Sequence, residues 1–246
     1  MIATMAARCA RLTSRETDSL ITSLTLPVML MVTFVYLFGG AINTGTRYVT
    51  YVVPGVLVLC AVVGSATTAV TVCKDMTGGI IDRFRSMDVG AVPVLAGHVA
   101  ASVVRNVVSW TLALGVALAI GFRPHASAAA WLAAAGVLLA FVLAISWLAA
   151  VLGLLVSSPE AANGAMFGFM FVCYASSAFV QVKTMPWWLH GFANNQPVTP
   201  VIETVRALLL GAPAGAHAAA AIAWSAGIAL VSVLASAALW RRRVSR

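Results

Sequence analysis

Charge is scarce in this chain. Of 246 residues only 9% are Asp, Glu, Lys or Arg, and the acids number 7. A soluble globular domain carries about 25% charged and about 45–50% apolar residues; here 61% are hydrophobic and mean hydropathy is +0.98. The chain therefore belongs in a bilayer. Several chemical signatures are missing as well. Without GxxxxGK[ST] the chain has no such loop to cradle ATP phosphates, and HExxH and GxSxG, the marks of a zinc peptidase or a nucleophile elbow, do not occur. The 4 cysteines, Cys9, Cys60, Cys73 and Cys173, form no CxxC and fall in or beside apolar segments, so they read as small buried hydrophobes rather than a disulfide framework or zinc ligands. His98, His125, His190 and His217 are scattered near the ends of apolar runs without metal spacing. Asp and Glu avoid those runs, which weighs against an ion-driven secondary transporter, whose carriers are ordinarily intramembrane carboxylates. No period of about 20 to 50 residues repeats.

What is present is a series of long apolar runs, at 22–41, 52–73, 97–121, 129–156, 161–181 and 216–240. A hydrocarbon core about 30 Å thick needs about 20 residues of helix, and continuous apolarity favours helices over the alternating strands of a barrel. The expected fold is all-α: a polytopic membrane protein with six transmembrane helices. The first run follows Arg8, Arg11, Arg15, Glu16 and Asp18 rather than the compact charged region and cleavage site of a signal peptide, so it is expected to stay as a membrane helix. The net charge of +8 is spread over loops and ends, which suits orientation in a membrane better than a nucleic-acid surface. Arg8, Arg11, Arg15, Lys74, Arg83, Arg85, Arg241, Arg242, Arg243 and Arg246 fall on one side of six such spans; Arg47, Arg123, Lys183 and Arg206 fall on the other. Positive residues resist translocation, so both termini and the loop after residue 74 are expected in the cytoplasm.

Two connections stand out. In TGGIIDRFRSM, residues 77–87, a helix would set Ile80, Ile81, Phe84 and Met87 on one side, with Asp82, Arg83 and Arg85 elsewhere. Thr77 is a candidate cap, Gly78 and Gly79 allow a sharp turn, and Ser86 completes the polar side. Such a short amphipathic element either rests on lipid headgroups or offers its apolar face to a soluble partner. The segment 182–215 carries Trp187 and Trp188, then a Pro- and Asn-rich turn and VIETVRALLLG with helical apolar spacing; it is expected to form two short helices lying on, or dipping into, the outer leaflet.

The order of these features resembles the membrane subunit of an ABC-2 type exporter, close to the daunorubicin-resistance permease group. The likeness is carried by LPVMLMVTFVYLFGGAI, YVVPGVLV, KDMTGGIIDRFRSMDVGAVPVLAGHVA, NGAMFGFMFVCYASSAFV, MPWWLHGFANNQPVTPVIETVRALLLG and the closing WRRR; Gln196 makes NQPVTP of the family's NP(L/V)TP. The resemblance implies that residues 77–87 are a coupling helix docking into a cytoplasmic ABC ATPase subunit and that 4–20 form a connecting helix. It also implies that a second permease copy or a paralogue completes the transporter. ATP and Mg would be bound by the ATPase, leaving no cofactor in this chain, and the cargo would be hydrophobic or amphiphilic: drugs, lipids or glycolipids. The alternatives to an exporter subunit are a non-transporting membrane scaffold, an ion-driven carrier and an intramembrane enzyme.

Candidate pathway residues come from spacing. Asn163, Phe167, Met170, Tyr174, Ser177 and Gln181 recur at steps of three or four, one stripe of the fifth run, suited either to an amphiphilic passenger or to a helix contact. In the second run Thr68 and Thr71, with Gly64 and Ser65, suit a pathway wall or close helix packing. Arg105, beside Asn106 within the third run, is expected to snorkel to the cytoplasmic interface, the alternative being contact with an acidic passenger.

Overall fold

The computed structural model describes residues 17–42, 45–78 and 91–244. Among these, the regular secondary structure is helical. Helix α1, Thr17–Thr33, widens into a π-helical stretch, Phe34–Phe38; α2 is Tyr48–Thr77, α3 Ala91–Ile120, α4 Ala128–Leu155 and α5 Pro159–Tyr174. A single 3-10 turn, Val182–Thr184, leads to two short helices, α6 (Trp187–Asn195) and α7 (Val198–Leu209), and α8 is Gly215–Val244. The short helical pair expected between residues 182 and 215 is thus α6 and α7. This is an all-helical polytopic membrane protein.

Four helices, Tyr48–Thr77, Val92–Ile120, Ala128–Leu155 and Gly215–Leu239, are long and apolar enough to cross a bilayer. Helix is the form such runs take because every backbone N–H and C=O is then satisfied within the segment. The first and fifth expected spans are shorter as continuous helices: the apolar part of the first is Thr25–Phe38, and α5 has 16 residues, about 24 Å at 1.5 Å per residue. The start of α5 is well determined, with Ser158 accepting from the Ala161 N–H (3.2 Å) ahead of Pro159 in the first turn. Its end is set by a serine. Ser176 donates back to the Cys173 carbonyl and accepts from the Ala178 N–H, a local alternative to the helical ladder.

Helix α2 is the axis of the bundle: 72% of its most apolar window is buried by protein, against 17% for α8. It packs against α1, α3, α4, α5 and α7, while α8 lies on α4 and α7. Lipid tails are as apolar as Leu, so close approach at small residues holds such helices together. A Cβ built on Gly153 of α4 would stand 2.5 Å from the Ala69 carbonyl oxygen, and one on Gly55 of α2 would stand 2.6 Å from the Cα of Ala178. Cys60, Cys73 and Cys173 are buried, as small hydrophobes are.

Thr77 is the last residue of α2, and its hydroxyl donates to the carbonyls of Cys73 (3.0 Å) and Lys74 (3.3 Å). Gly78 follows, its N–H bonded to the Lys74 carbonyl. Gly79, Ile80, Ile81, Asp82, Arg83, Phe84, Arg85, Ser86 and Met87, and residues 4–16 of the expected connecting helix, lie outside the described residues; 17–20 are part of α1. Asp75, assigned to a loop by its sequence position, is inside α2 and pairs with His98 of α3 at 3.1 Å, tying the two helices where they flank residues 79–90.

The packing at Gly55 yields a prediction. Gly55→Ala should destabilise the protein by about 1–3 kcal/mol, the usual cost of overpacking, whereas Gly136→Ala, with nothing within 4 Å of the added Cβ, should be neutral or slightly stabilising. Thermal transitions of the two variants in detergent micelles test the contrast; equal transitions would mean that the α2 contact with Ala178 is not close.

Candidate functional site

Between Ala175 and Gln181 the backbone is not helical, yet Ser176, Ser177, Ala178 and Phe179 are buried. Unwound backbone away from water needs side-chain donors for its carbonyls. Here they arrive on alternate residues. Gln196 Nε2 donates to the Ala175 carbonyl (3.2 Å), the Tyr51 hydroxyl and Arg206 Nη2 donate to the Ser177 carbonyl (3.0 and 2.8 Å), and the Tyr48 hydroxyl donates to the Phe179 carbonyl (2.8 Å). The two tyrosines stand on the first turn of α2, Arg206 is on α7 and Gln196 lies just before it, so this segment is where three parts of the fold meet.

Arg206 is the hub. Its Nε and Nη2 also donate to the Tyr51 carbonyl (3.2 and 3.0 Å), its Nη1 reaches Glu203 Oε1 at 2.6 Å, and its guanidinium carbon lies 3.8 Å from the centre of the Tyr51 ring. A planar fork of donors with a delocalised charge serves several acceptors and an aromatic face at once, which a lysine cannot. Helix α7 holds it there because Val198, Val201, Ile202, Val205 and Leu209 are buried against the bundle. By contrast Trp187 and Trp188 of α6 are 85% and 66% exposed.

A second polar cluster lies midway along α2 and α3. Arg105 is not at a helix end: it stands 14 residues into α3, about 21 Å along the axis, and is 5% exposed. The expected snorkelling to the interface is therefore corrected, because the guanidinium turns into the seam with α2, donating to the Gly64 carbonyl (3.2 Å) and to Thr68 Oγ1 (3.0 Å). Beside it Asn106 donates to the Ser102 carbonyl (2.9 Å), and Ser102, Ser146 and Ser65 form a hydroxyl chain from α3 through α4 to α2 at 2.8 and 3.2 Å. Gly64 leaves room for the Asn106 amide, since a Cβ would sit 2.5 Å from Asn106 Oδ1 and the amide would have to shift. Each interhelical hydrogen bond in a membrane averages about 0.6 kcal/mol, so this cluster sets register between three helices more than it holds them together.

The sequence-predicted pathway residues divide accordingly. Thr68 is buried and engaged with Arg105 of α3, and Thr71 is half-buried with its hydroxyl on the Thr67 carbonyl of its own helix (2.7 Å). On α5, Asn163 and Phe167 are exposed, Met170 is buried, and Tyr174 is half-buried beside Phe179, with ring centres 5.9 Å apart. Because α5 stops at Tyr174, Ser177 and Gln181 are off the helix, and the single expected stripe breaks there. Phe171, which spacing from Phe167 could have revealed, joins the exposed face in an edge-to-face pair with Phe167 at 5.8 Å. Arg206 was counted in the sequence only as a charge; Glu203 three residues earlier was the available signal of an ion pair. No group of three or more metal-ligating side chains occurs among the described residues.

Removing the hub tests its weight. Arg206→Ala should cost on the order of 3 kcal/mol, because it removes the ion pair with Glu203, the donors to the Tyr51 carbonyl and one of the two donors to the Ser177 carbonyl. Arg206→Lys should recover only part of this, having one ammonium for three acceptors. The measurement is the thermal transition in detergent, and an unchanged transition for Arg206→Ala would remove the argument.

Comparison with known proteins agrees with this architecture. Residues 2–210 match the model of the family described as ABC-2 type transporter. The chain is 29% identical over 220 residues to the daunorubicin resistance ABC transporter permease protein DrrB1 of Streptomyces coeruleorubidus, covering 89% of this chain and 78% of that protein. It is 22% identical over 231 residues to the probable doxorubicin resistance ABC transporter permease protein DrrC of Mycobacterium tuberculosis, covering 93% of this chain and 84% of the relative. A buried, hydrogen-bonded helical bundle that matches this family over most of its length makes the chain a member of the ABC-2 type transporter family, homologous to the daunorubicin and doxorubicin resistance permeases.

Proposed function

We propose that this chain is the membrane subunit of an ATP-driven exporter that moves hydrophobic or amphiphilic compounds (drugs, lipids or glycolipids) out of the cytoplasm or the inner leaflet. The observation that carries the reading is the similarity to permeases named for daunorubicin and doxorubicin resistance along nearly the whole chain. The energy comes from a separate cytoplasmic ABC ATPase, and a second permease copy or a paralogue completes the pathway. Both termini face the cytoplasm, in keeping with the bias of Lys and Arg.

In this reading residues 77–87 dock into the ATPase, with Ile81 and Phe84 as the apolar contact. Helix α2 suits the transmission of their movement. It is a 30-residue rod, about 45 Å long, with Thr77 at one end and the Tyr48–Tyr51 contacts to the unwound 175–181 segment at the other. A displacement of the docking element is useful only where two arrangements of the bundle differ in their contacts with it, so ATP binding biases one against the other. The exposed Asn163, Phe167 and Phe171 face of α5 is the proposed passenger wall, aromatic and weakly polar as an amphiphile requires.

Two experiments test the proposal. With the permease and its ATPase reconstituted in vesicles, Phe84→Asp should abolish ATP-driven movement of a fluorescent anthracycline, by tenfold or more, while insertion of the permease is unchanged. Undiminished movement would refute docking through this loop. Separately, Phe167→Ala should lower transport severalfold without lowering the thermal transition, since its ring is largely exposed; an equal loss of stability would assign it to packing instead.

A further inference from the structure

A cavity of about 280 Å³ lies between α2, α3, α4 and α7, and no residue of α5 or of the Arg105 and Arg206 hydrogen-bond sets lines it. Its floor is Leu57, Leu138, Val205 and Leu209, all buried, and its mouth is formed by Val107, Thr111 and Ala135, all exposed. We infer that this cavity is a binding site for a single acyl chain of a bilayer phospholipid.

The occupant follows from the wall and from where it opens. Water filling such a space needs two to four polar partners per molecule. The Trp110 N–H is already given to the Leu57 carbonyl (2.8 Å), and the Thr111 hydroxyl to the Val107 carbonyl (2.9 Å). A transported amphiphile would need several placed polar groups to orient it, and this wall is predominantly apolar, with Trp110, Thr111 and Trp131 its only residues bearing a polar side-chain group. The mouth lies on helices long and apolar enough to cross the bilayer, so it opens onto lipid hydrocarbon. The volume is roughly twice the ~150 Å³ apolar cavity that stays dry and takes up benzene, so it accommodates about ten carbons of a chain. Val205 and Leu209 belong to the same helix as Arg206, so a chain seated here braces α7 against α3 and α4 and makes the Arg206 contacts responsive to lipid.

The test uses the full chain in vesicles of phosphatidylcholine carrying a photoactivatable diazirine in one acyl chain, with labelled peptides mapped by mass spectrometry. Label should appear on the floor residues Leu57 and Leu138, which annular lipid cannot reach, and Ala135→Phe, which fills the mouth, should lower it at least tenfold while label on the exposed Leu230 and Leu234 of α8 persists. Label confined to outward-facing residues would overturn the inference, as would floor label that Ala135→Phe leaves unchanged. Loss of floor label on adding excess daunorubicin would overturn it in favour of a drug site. Should Ala135→Phe fail to fold, the wild-type labelling pattern and the competition with daunorubicin decide between these outcomes.

Discussion

Backbone that leaves the helix inside a membrane protein has no water to turn to, and the 175–181 segment meets that constraint with borrowed donors. Four side chains drawn from α2, α7 and the turn before α7 satisfy the carbonyls of Ala175, Ser177 and Phe179. Every one of those bonds spans more than twenty residues of sequence, so the segment has its shape only when the whole bundle is assembled. Two of them come from the first turn of α2, and this places the N-terminal end of that helix, rather than its middle, in control of the segment.

The arrangement links features that look unrelated along the chain. Gly55 is small because Ala178 presses on it, Ser176 ends α5 by turning on Cys173, and Arg206 is an arginine because it serves two carbonyls, a carboxylate and an aromatic ring together. The burial of α7 by its valines and leucines then has a purpose beyond packing, which is to bring a charge to a place where charge is expensive and is wholly engaged.

The second cluster uses charge differently. Arg105 and its neighbours bind α2, α3 and α4 to one another at mid-length with hydrogen bonds that are individually weak, around a glycine that admits Asn106. Together with the His98–Asp75 pair near the loop, the polar contacts of α2 are distributed along its length: one set near Tyr48, one at Gly64 to Thr68, one at Asp75.

Much of this was legible in the residues. Continuous apolar runs dictate helices because lipid offers the backbone no partner, and four of the six stand at spanning length; the family is carried by the order of short motifs and is matched over residues 2–210. The short helices of 182–215 were readable from apolar spacing, and Gly64 from its small neighbours. Apolar runs could not show where a helix stops without a break in hydrophobicity, since Ala175 to Phe179 are as compatible with helix as the residues before them; the end of α5 is decided by Ser176 and by donors more than twenty residues away. Nor could they show which way Arg105 turns, because a long side chain reaches either an interface or a neighbouring helix, and only the packing of α2 against α3 selects between them.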